Sequence, residues 1–397
     1  MRDVLTFILA GGKGERLDPL TRDRAKPAVP FGGIYRIIDF TLSNCVNSGL
    51  RRIFLLTQYK SFSLQKHIFE GWNIYSNQLG EFIDVIPAQQ RISTDWYRGT
   101  ADAIYQNLNM IHNYNSKMIL ILAGDHIYKM DYRKLIEDHM NHHADMTVAC
   151  LQMPKTEAVN FGVVEVNSKN MVTGFQEKPK EPKTIPGESD SIFASMGIYL
   201  FNADVLKKEL DIDSACADSD HDFGKNIIPQ MVNKRMKVLA YNFGRSNYWR
   251  DIGTRDAYYQ ANMDLLGESP KFNVFDKAWP LRTHHHHYPP LRTYTTGAKP
   301  GSVVNSLVAG GCILESAEIN SSVVAPNVLI KNGAIIKNSV IMDGVIVGEK
   351  AQIQNAIIDK DVEIPDGMKI GFDQDSDRSR FVLTTSGIVI VAKKTSI

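Results

Sequence analysis

Residues 4–17 read VLTFILAGGKGERL, a short apolar run that ends in a glycine-rich turn. The run from Val4 to Ala10 predicts a buried strand, the glycines predict a tight turn, and the polar residues that follow could form a helix. Similar apolar runs occupy 52–57, 117–122 and 146–152, separated by stretches long enough for helices, such as 101–112. This alternation predicts an α/β, Rossmann-like domain with a mostly parallel sheet, which binds ligands beyond the carboxyl ends of its strands.

The last part of the chain has a different texture, because aliphatic residues recur there at every sixth position. One row comprises Val323, Leu329, Ile335, Ile341, Val347 and Ile353, and after a one-residue slip it continues with Ile358, Ile364 and Ile370. A second row beside it comprises Val324, Ile330, Ile336 and Met342. This period, with Gly and Asn at the corners, predicts a left-handed parallel β-helix of hexapeptide repeats, in which each short strand is one side of a coil.

At 397 residues the chain exceeds the size of one ordinary hydrophobic core, so two domains are expected. We assign the α/β domain to 1–265, a linker rich in proline and polar residues to 266–302, and the β-helix to 303–397. The linker contains four adjacent histidines, His284 to His287. Four such neighbours cannot easily point at one ion, which favours a solvated loop over a metal site.

Composition excludes several classes of partner. The 45 lysines and arginines balance 44 aspartates and glutamates without a long single-sign run, which argues against nucleic acid as a partner. No stretch approaches the roughly 20 apolar residues of a membrane span. The four cysteines are far apart and lack zinc-like spacing, so we expect reduced thiols in a cytoplasmic protein.

The glycine-rich turn has the features of an anion site. Its backbone N–H groups can approach a phosphate closely, and Lys13 and Arg16 can neutralise a triphosphate. Lys26 supplies another cation about ten residues later. The spacing fits neither the GxxxxGK[ST] of P-loop proteins nor the GxGxxG of dinucleotide-binding folds, so neither of those nucleotide folds is supported.

The combination of GGxGxRL at 11–17 with KP at 26–27 resembles the signature of sugar-1-phosphate nucleotidyltransferases. Within that superfamily the chain is most similar to the bacterial ADP-glucose pyrophosphorylases, and the resemblance covers essentially its whole length. The segments that carry it are, in order, RIIDFTLSNC (36–45), PAQQR (87–91), WYRGTADA (96–103), LAGDHIY (122–128), FGV (161–163), EKP (177–179), SMGIY (195–199), HDFG (221–224) and YWRDIGT (248–254).

The resemblance implies an Mg²⁺-dependent reaction in which ATP and glucose 1-phosphate yield ADP-glucose, for glycogen synthesis, and pyrophosphate. The sugar phosphate is already ionised, so catalysis needs alignment and charge stabilisation and no general base. Asp125 follows a predicted strand, where a metal ligand is expected in an open α/β sheet. Asp251 is the natural second carboxylate, and the corresponding pair holds the metal in the family. We therefore expect Arg16, Lys26 and Asp125 to be catalytic, and Asp125 and Asp251 to bind metal.

Substrate contacts are carried over from the family. For glucose 1-phosphate, the Lys178 ammonium is expected to meet the phosphate and the Glu177 carboxylate the sugar hydroxyls. The other expected contacts of this substrate are Tyr97, Gly162 and Ser195. The expected contacts of the nucleotide are Gly11, Gly12, Gly14, Gln89, Gly99 and Thr100.

Two alternatives remain open at this point: a nucleotidyltransferase that uses UTP or dTTP, and a non-catalytic regulatory subunit of a mixed pyrophosphorylase tetramer. The family forms tetramers, which implies a homotetramer or one with a paralogous regulatory subunit. Many relatives respond to metabolite effectors through basic residues. Lys26 and Arg36 are present here, but Asp23 and Pro30 stand where a well-studied subgroup has a lysine and a histidine. We therefore expect weak or different effector control; several-fold activation by fructose 1,6-bisphosphate would contradict this.

Overall fold

The computed structural model describes residues 1–89, 96–296, 299–395 and 397; residues 90–91 of the PAQQR segment lie outside it. The strands of the first domain are β1 (Val4–Ala10), β2 (Pro30–Phe31), β3 (Tyr35–Arg36), β4 (Arg52–Thr57), β5 (Phe82–Pro87), β6 (Met118–Ala123), β7 (His126–Tyr128), β8 (Met146–Pro154), β9 (Gly162–Val166), β10 (Val172–Glu177), β11 (Ser191–Asn202), β12 (Val238–Asn242) and β13 (Trp249–Asp251). Its helices are α1 (Ile37–Asn47), α2 (Phe62–Gly71), α3 (Thr100–Tyr105), α4 (Leu108–Tyr114), α5 (Tyr132–Asn141), α6 (Ala203–Ser214), α7 (Ile228–Asn233) and α8 (Arg255–Met263).

The central sheet has a parallel core in the order β6-β1-β4-β5, as the apolar runs predict. The long strand β11 runs antiparallel to β6 and connects this core to β8, which pairs in parallel with β12. The hairpin of β9 and β10 pairs with β11 through β9, on the edge of β11 that also pairs with β6. Apolar clusters cover both faces of the sheet, which confirms the predicted α/β class.

Two local predictions are wrong. The single helix expected over 101–112 is divided into α3 and α4, because the Asn107 side chain bonds the carbonyl of Ala103 at 2.8 Å in competition with the backbone. The residues after Gly14 make only one 3₁₀ turn, Glu15–Leu17, instead of a helix.

The second domain is a parallel β-helix with three sheets. The first consists of β14 (Arg292–Tyr294), β17 (Ile313–Glu315), β20 (Leu329–Ile330), β23 (Ile346–Val347) and β26 (Glu363–Ile364), and the second of β15 (Ser302–Val304), β18 (Glu318–Asn320), β21 (Ile335–Lys337), β24 (Gln352–Gln354) and β27 (Lys369–Ile370). The third consists of β16 (Leu307–Val308), β19 (Val323–Val324), β22 (Val340–Ile341), β25 (Ala356–Ile358), β29 (Val389–Val391) and β28 (Val382–Leu383), with α9 (Gln374–Arg380) before β28.

The register of the β-helix differs from the predicted one in its earlier coils. Leu329 pairs with Ile346 and Ile346 with Glu363, so each of these coils takes 17 residues, two sixes and a five. A slip therefore falls once in each of these coils. The slip between Ile353 and Ile358 was predicted, but an earlier one between Ile336 and Ile341 was not. As a result the buried row begins with the residues assigned to the second row, Val324, Ile330 and Ile336, and Leu329 and Ile335 are only half-buried.

The outer face of the third sheet packs on the first domain. Side chains alternate across a strand, so Val340, Ile357 and Ile390 point away from the interior of the β-helix. They join an apolar cluster with residues of the first domain, among them Val29 and Tyr258. This cluster lies beside the loop that carries Lys26.

The segment assigned to the linker is anchored on both domains. The Thr283 hydroxyl donates to Asp39 Oδ2 of α1 at 2.6 Å, and the Tyr288 hydroxyl donates to Asp343 of the β-helix at 3.0 Å. Strand β14 lies within this segment. The division at 265 and 303 stays a prediction. Among the described helices, none is long and apolar enough to cross a membrane.

Candidate active site

A cleft of about 790 Å³ opens where β1 and β6 end, at the carboxyl edge of the parallel core. Its volume is in the range typical of sites for small ligands and cofactors. Its lining includes ten of the residues predicted from the sequence: Gly11, Gly12, Lys13, Gly14, Arg16, Lys26, Tyr97, Gly99, Thr100 and Asp125. The other predicted residues, Gln89, Gly162, Glu177, Lys178, Ser195 and Asp251, are not part of this lining.

The glycine-rich turn forms one wall of the cleft. Gly14 has a φ of 68°, the left-handed conformation that favours glycine, and its carbonyl accepts a hydrogen bond from the Thr21 hydroxyl at 2.8 Å. A Cβ at Gly12 would have no protein atom within 4 Å, so the backbone there is open to a ligand. The exposed Lys13 ammonium lies 5.6 Å from the centre of the Tyr59 ring. The turn can therefore offer both N–H groups and cations to an anion.

Lys26 lies between the two carboxylates that the sequence singles out. Its Nζ is 2.7 Å from Asp125 Oδ2 and 3.2 Å from Asp251 Oδ1. Burial by itself would lower the pKa of Lys26, but the two carboxylates outweigh burial and raise it, so the side chain is a cation at neutral pH. For the acid Asp125 burial has the opposite effect and would raise the pKa. Lys26 and then His126 outweigh burial and lower the pKa of Asp125 to about 2.

A short two-stranded ribbon brings the two carboxylates together. Asp125 stands between β6 and β7, and β7 pairs antiparallel with β13 so that His126 faces Asp251. The ribbon thus joins residues 126 positions apart in the chain. His126 Nε2 lies 3.5 Å from Asp125 Oδ1 and 3.9 Å from Asp251 Oδ1.

This donor set fits a divalent cation. Asp125, His126 and Asp251 each offer a ligand atom, and these atoms lie within 4.8 Å of one another. Carboxylate oxygens are the ligands that hard cations prefer, and such cations complete their shell with water and substrate phosphates. The position of the Lys26 ammonium between the carboxylates shows that this point in the cleft attracts positive charge.

Arg16 lies on the same side of the cleft as Asp251. A Cβ built on Gly253 would be 2.8 Å from Asp251 Oδ2 and 3.3 Å from Arg16 Nη2, so both side chains approach one backbone position. Arg16, Lys26 and the carboxylates therefore surround one end of the glycine-rich wall.

Most of the residues predicted for glucose 1-phosphate lie on or directly after the neighbouring strands β9, β10 and β11. Glu177 ends β10 directly opposite Gly162 of β9, and its Oε1 is 3.3 Å from Lys178 Nζ. Lys178 takes a positive φ of 48°, and its N–H donates to the Phe161 carbonyl. Ser195 follows Ala194, which pairs with Val163 next to Gly162, so Ser195 lies beside this group. It stands at an irregularity in β11, where its Oγ accepts from the Gly197 N–H at 3.3 Å. Gly197 lines the cleft, so Ser195 lies just behind it.

The residues predicted near the nucleotide have different environments. The Thr100 hydroxyl donates to Asp222 Oδ2 at 2.9 Å and accepts from the Phe223 N–H at 3.1 Å, so its bonds are within the protein. Tyr97, which was predicted for glucose 1-phosphate, lines the same cleft, and its hydroxyl accepts from Asn107 Nδ2 at 3.0 Å. Gln89 is exposed, two residues beyond β5.

The sequence analysis did not identify several residues that line the cleft. Gln58 and Tyr59 follow β4 and line the cleft, as do Tyr199 and Asp222. Because β4 is the parallel neighbour of β1, the residues after both strands meet at one edge of the sheet. The apolar run at 52–57 therefore contained the signal that could have identified Gln58 and Tyr59.

Comparison with known proteins gives the class. Residues 5–268 match the nucleotidyl transferase family, and residues 289–391 match the GlmU-like C-terminal hexapeptide family. Since the first match covers more than half of the chain, the chain belongs to the nucleotidyl transferase family.

Full-length relatives narrow the class further. The chain is 48% identical to the glucose-1-phosphate adenylyltransferase of Koribacter versatilis, over 100% of this chain and 97% of the relative. It is also 48% identical to glucose-1-phosphate adenylyltransferase 2 of Vibrio cholerae, over 98% of each chain, and to the glucose-1-phosphate adenylyltransferase of Nitrosococcus oceani, over 98% of this chain and 94% of the relative. Within the nucleotidyl transferases, the chain is a member of the glucose-1-phosphate adenylyltransferases.

Proposed function

We propose that this chain transfers the adenylyl group of ATP to glucose 1-phosphate, forming ADP-glucose and pyrophosphate. One observation carries the proposal: Lys26 Nζ lies between Asp125 and Asp251 at the end of an open glycine-rich turn. A cation, two carboxylates and backbone N–H groups are what a phosphoryl or nucleotidyl transfer needs, since it depends on positioning and on charge stabilisation.

The two carboxylates would hold Mg²⁺ beside the phosphates of ATP. When bound, the ion would neutralise charge on the phosphate oxygens and help orient them. Asp125 suits this role because its lowered pKa of about 2 keeps it ionised throughout the physiological range. Asp251, held opposite His126 by the ribbon, would be the second ligand.

The protein's own groups would align and stabilise the reacting phosphates. The backbone of Gly11, Gly12 and Gly14, together with Arg16, would bind the phosphates that leave as pyrophosphate. Lys26 would place its charge at the α-phosphate, where negative charge develops during transfer. The ionised oxygen of the sugar phosphate would attack that phosphorus in line, and the bond to pyrophosphate would break without a general base.

The remaining predicted contacts would bind the sugar and the nucleoside. Lys178 would meet the sugar phosphate and Glu177 the sugar hydroxyls, while Tyr97, Gly162 and Ser195 would shape the same subsite. Gln89, Gly99 and Thr100 would surround the nucleoside. Because the Thr100 hydroxyl is bonded to Asp222 and Phe223, we expect it to act through its backbone or by shaping the wall.

The charged residues of the candidate active site favour a catalytic chain over a non-catalytic regulatory subunit. Such a subunit needs no pairing of Lys26 with two carboxylates, yet the pairing is close here, and Arg16 and Lys178 are also present. The choice of ATP over UTP or dTTP rests on the names of the relatives and is tested directly below.

We further infer a homotetramer that works in the cytoplasm, supplies ADP-glucose for glycogen and has weak or different effector control. The names of the relatives support the metabolic role. Three buried, unpaired thiols, Cys45, Cys150 and Cys312, suit a reducing compartment. Asp23 and Pro30 support the altered effector control.

The test is product analysis with the purified chain, MgCl₂, ATP and glucose 1-phosphate. Chromatography should show ADP-glucose accumulating in step with pyrophosphate, and chelation of divalent cations should stop both. Asp251→Asn should reduce the yield of ADP-glucose by at least a hundredfold. The control Asp190→Asn, which changes a highly exposed carboxylate outside the cleft lining, should not reduce it. Pyrophosphate without ADP-glucose, or equal yields from the two variants, would overturn the proposal.

A further inference from the structure

Arg24 and Asp359 form a buried ion pair across the interface between the domains. Arg24 Nη2 donates to both carboxylate oxygens of Asp359, at 2.8 and 2.9 Å, and the two side chains are only 7% and 1% exposed. Arg24 Nη1 lies 3.9 Å from the Met342 sulfur. The pair lies beside the apolar cluster between the domains, and the largely buried charges of Arg36 and Lys360 are close to it.

A buried ion pair is a poor device for gaining stability. The loss of hydration by two charges offsets their attraction, and apolar residues of similar volume often serve folding equally well. The pair instead makes the docking of the two domains specific, because its hydrogen bonds fix where one domain sits on the other. Apolar contacts around Val29 and Met342 are far less specific about position.

The β-helix holds its member of the pair rigidly. The Asp359 N–H donates to the Val391 carbonyl of β29 at 3.0 Å, and Asp359 Oδ1 accepts from the Lys360 N–H at 2.7 Å. Asp359 directly follows β25. Its carboxylate is therefore a fixed point of the β-helix.

The other member lies two residues before Lys26. The residue between them, Ala25, donates its N–H to the Lys60 carbonyl at 3.2 Å, and Lys26 begins a 3₁₀ turn that ends at Ala28. With so short a connection, a displacement of Arg24 moves the Lys26 backbone as well. The Lys26 ammonium needs a definite position, since it contacts two carboxylates at hydrogen-bond distance.

We propose that Arg24 and Asp359 are positioning residues, through which the β-helix holds the Lys26 ammonium in the active site, given the adenylyltransferase activity proposed above. The β-helix then contributes to turnover in every subunit, beyond any part it has in assembly. Neither residue lines the cleft, so the pair should affect kcat more than the KM for ATP or glucose 1-phosphate.

The decisive variant is the double replacement Arg24→Met with Asp359→Leu, which fills the site with apolar side chains. We expect its Tm to stay within a few degrees of the parent's, because a well-packed apolar pair can replace a buried ion pair. We expect kcat to fall at least tenfold with both KM values within about threefold. Amide hydrogen exchange in the peptide that covers 21–31 should accelerate several-fold, since the N–H groups of Ala28 and Val29 are bonded within this loop and that of Ala25 is bonded to the Lys60 carbonyl.

Two further variants keep the test independent of how well the double variant folds. Arg24→Lys retains the charge but not the guanidinium geometry, so kcat should fall several-fold with little change in Tm. Arg22→Gln breaks the exposed pair of Arg22 with Asp18 in the same loop and should leave kcat and exchange at parent levels.

A double variant with normal kcat and normal exchange would overturn the proposal, as would an Arg24→Lys variant with unchanged kcat. A loss shared equally by Arg22→Gln would also overturn it. If the parent chain itself has no activity with any nucleotide, the proposed function fails, and the exchange of the 21–31 peptide still decides whether the pair holds the loop.

Discussion

Replacement of Asp125 by asparagine separates the catalytic role of this carboxylate from its contribution to folding. The change keeps the shape of the side chain but removes the charge that lies 2.7 Å from Lys26 Nζ. The pKa of Asp125 is lowered from 3.8 to about 2, which at about 1.36 kcal/mol per unit corresponds to a free energy on the order of 2 kcal/mol in favour of its ionised form. This is an upper estimate of the folding stability that the variant loses at neutral pH, because Asp251 remains 3.2 Å from the same ammonium.

Turnover should suffer more than folding. The variant loses a charged ligand of the metal and the partner that orients Lys26, so we expect kcat to fall about a thousandfold, equivalent to about 4 kcal/mol of transition-state stabilisation. The assays are urea unfolding at pH 7 and steady-state pyrophosphate release, with Asp190→Asn as the control. Near-normal turnover in a folded Asp125→Asn variant would refute this reasoning. So would a loss of turnover that is fully explained by unfolding.

Three other predictions follow from the described contacts. Lys178→Gln should raise the KM for glucose 1-phosphate at least tenfold with kcat within about threefold, while the exposed Lys155→Gln leaves both unchanged; an unaltered KM would assign the phosphate to another residue. Gly14→Ala should raise the KM for ATP and cost about 1–2 kcal/mol of stability by urea unfolding, because alanine is strained at a φ of 68°; a neutral result would show that the turn adapts. Burial would raise the pKa of Asp264, but Lys271 and other partners outweigh burial and lower it. Asp264→Asn should therefore destabilise the protein above pH 4, and progressively less as the pH falls through the lowered pKa. An equal loss of unfolding free energy at pH 7 and pH 3 would contradict this.

Much of the fold was predictable because its signals are local. The buried strands are short apolar runs, and the β1 and β4 runs match the observed strands residue for residue. The β-helix is evident from its period alone, since each coil buries the same kind of aliphatic residue.

The errors in the predicted fold have physical causes that neither the hydrophobic period nor the secondary-structure propensity of the sequence reveals. A 17-residue coil forces one slip in every turn, and the slip before Ile341 falls where both rows are aliphatic, so either could face inward. The break between α3 and α4 depends on a side-chain hydrogen bond of Asn107. Such a bond depends on local geometry and has no separate signal in the pattern of apolar residues.

The candidate site was predictable by residue type but not by arrangement. Glycines, cations and carboxylates at strand ends were evident, yet the contact of Lys26 with Asp251 depends on the pairing of β7 with β13. The contact of Arg24 with Asp359 depends on docking of two domains, between residues 335 positions apart. No local pattern records either one.

The measurement that tests the central claim most directly is pyrophosphate release by the purified chain alone, with Mg²⁺ and glucose 1-phosphate, comparing ATP with UTP, GTP and dTTP. We predict robust turnover confined to ATP, as expected of a self-sufficient adenylyltransferase. Turnover with UTP or dTTP in preference to ATP would contradict the assigned substrate, and no turnover with any nucleotide would contradict a catalytic role for this chain.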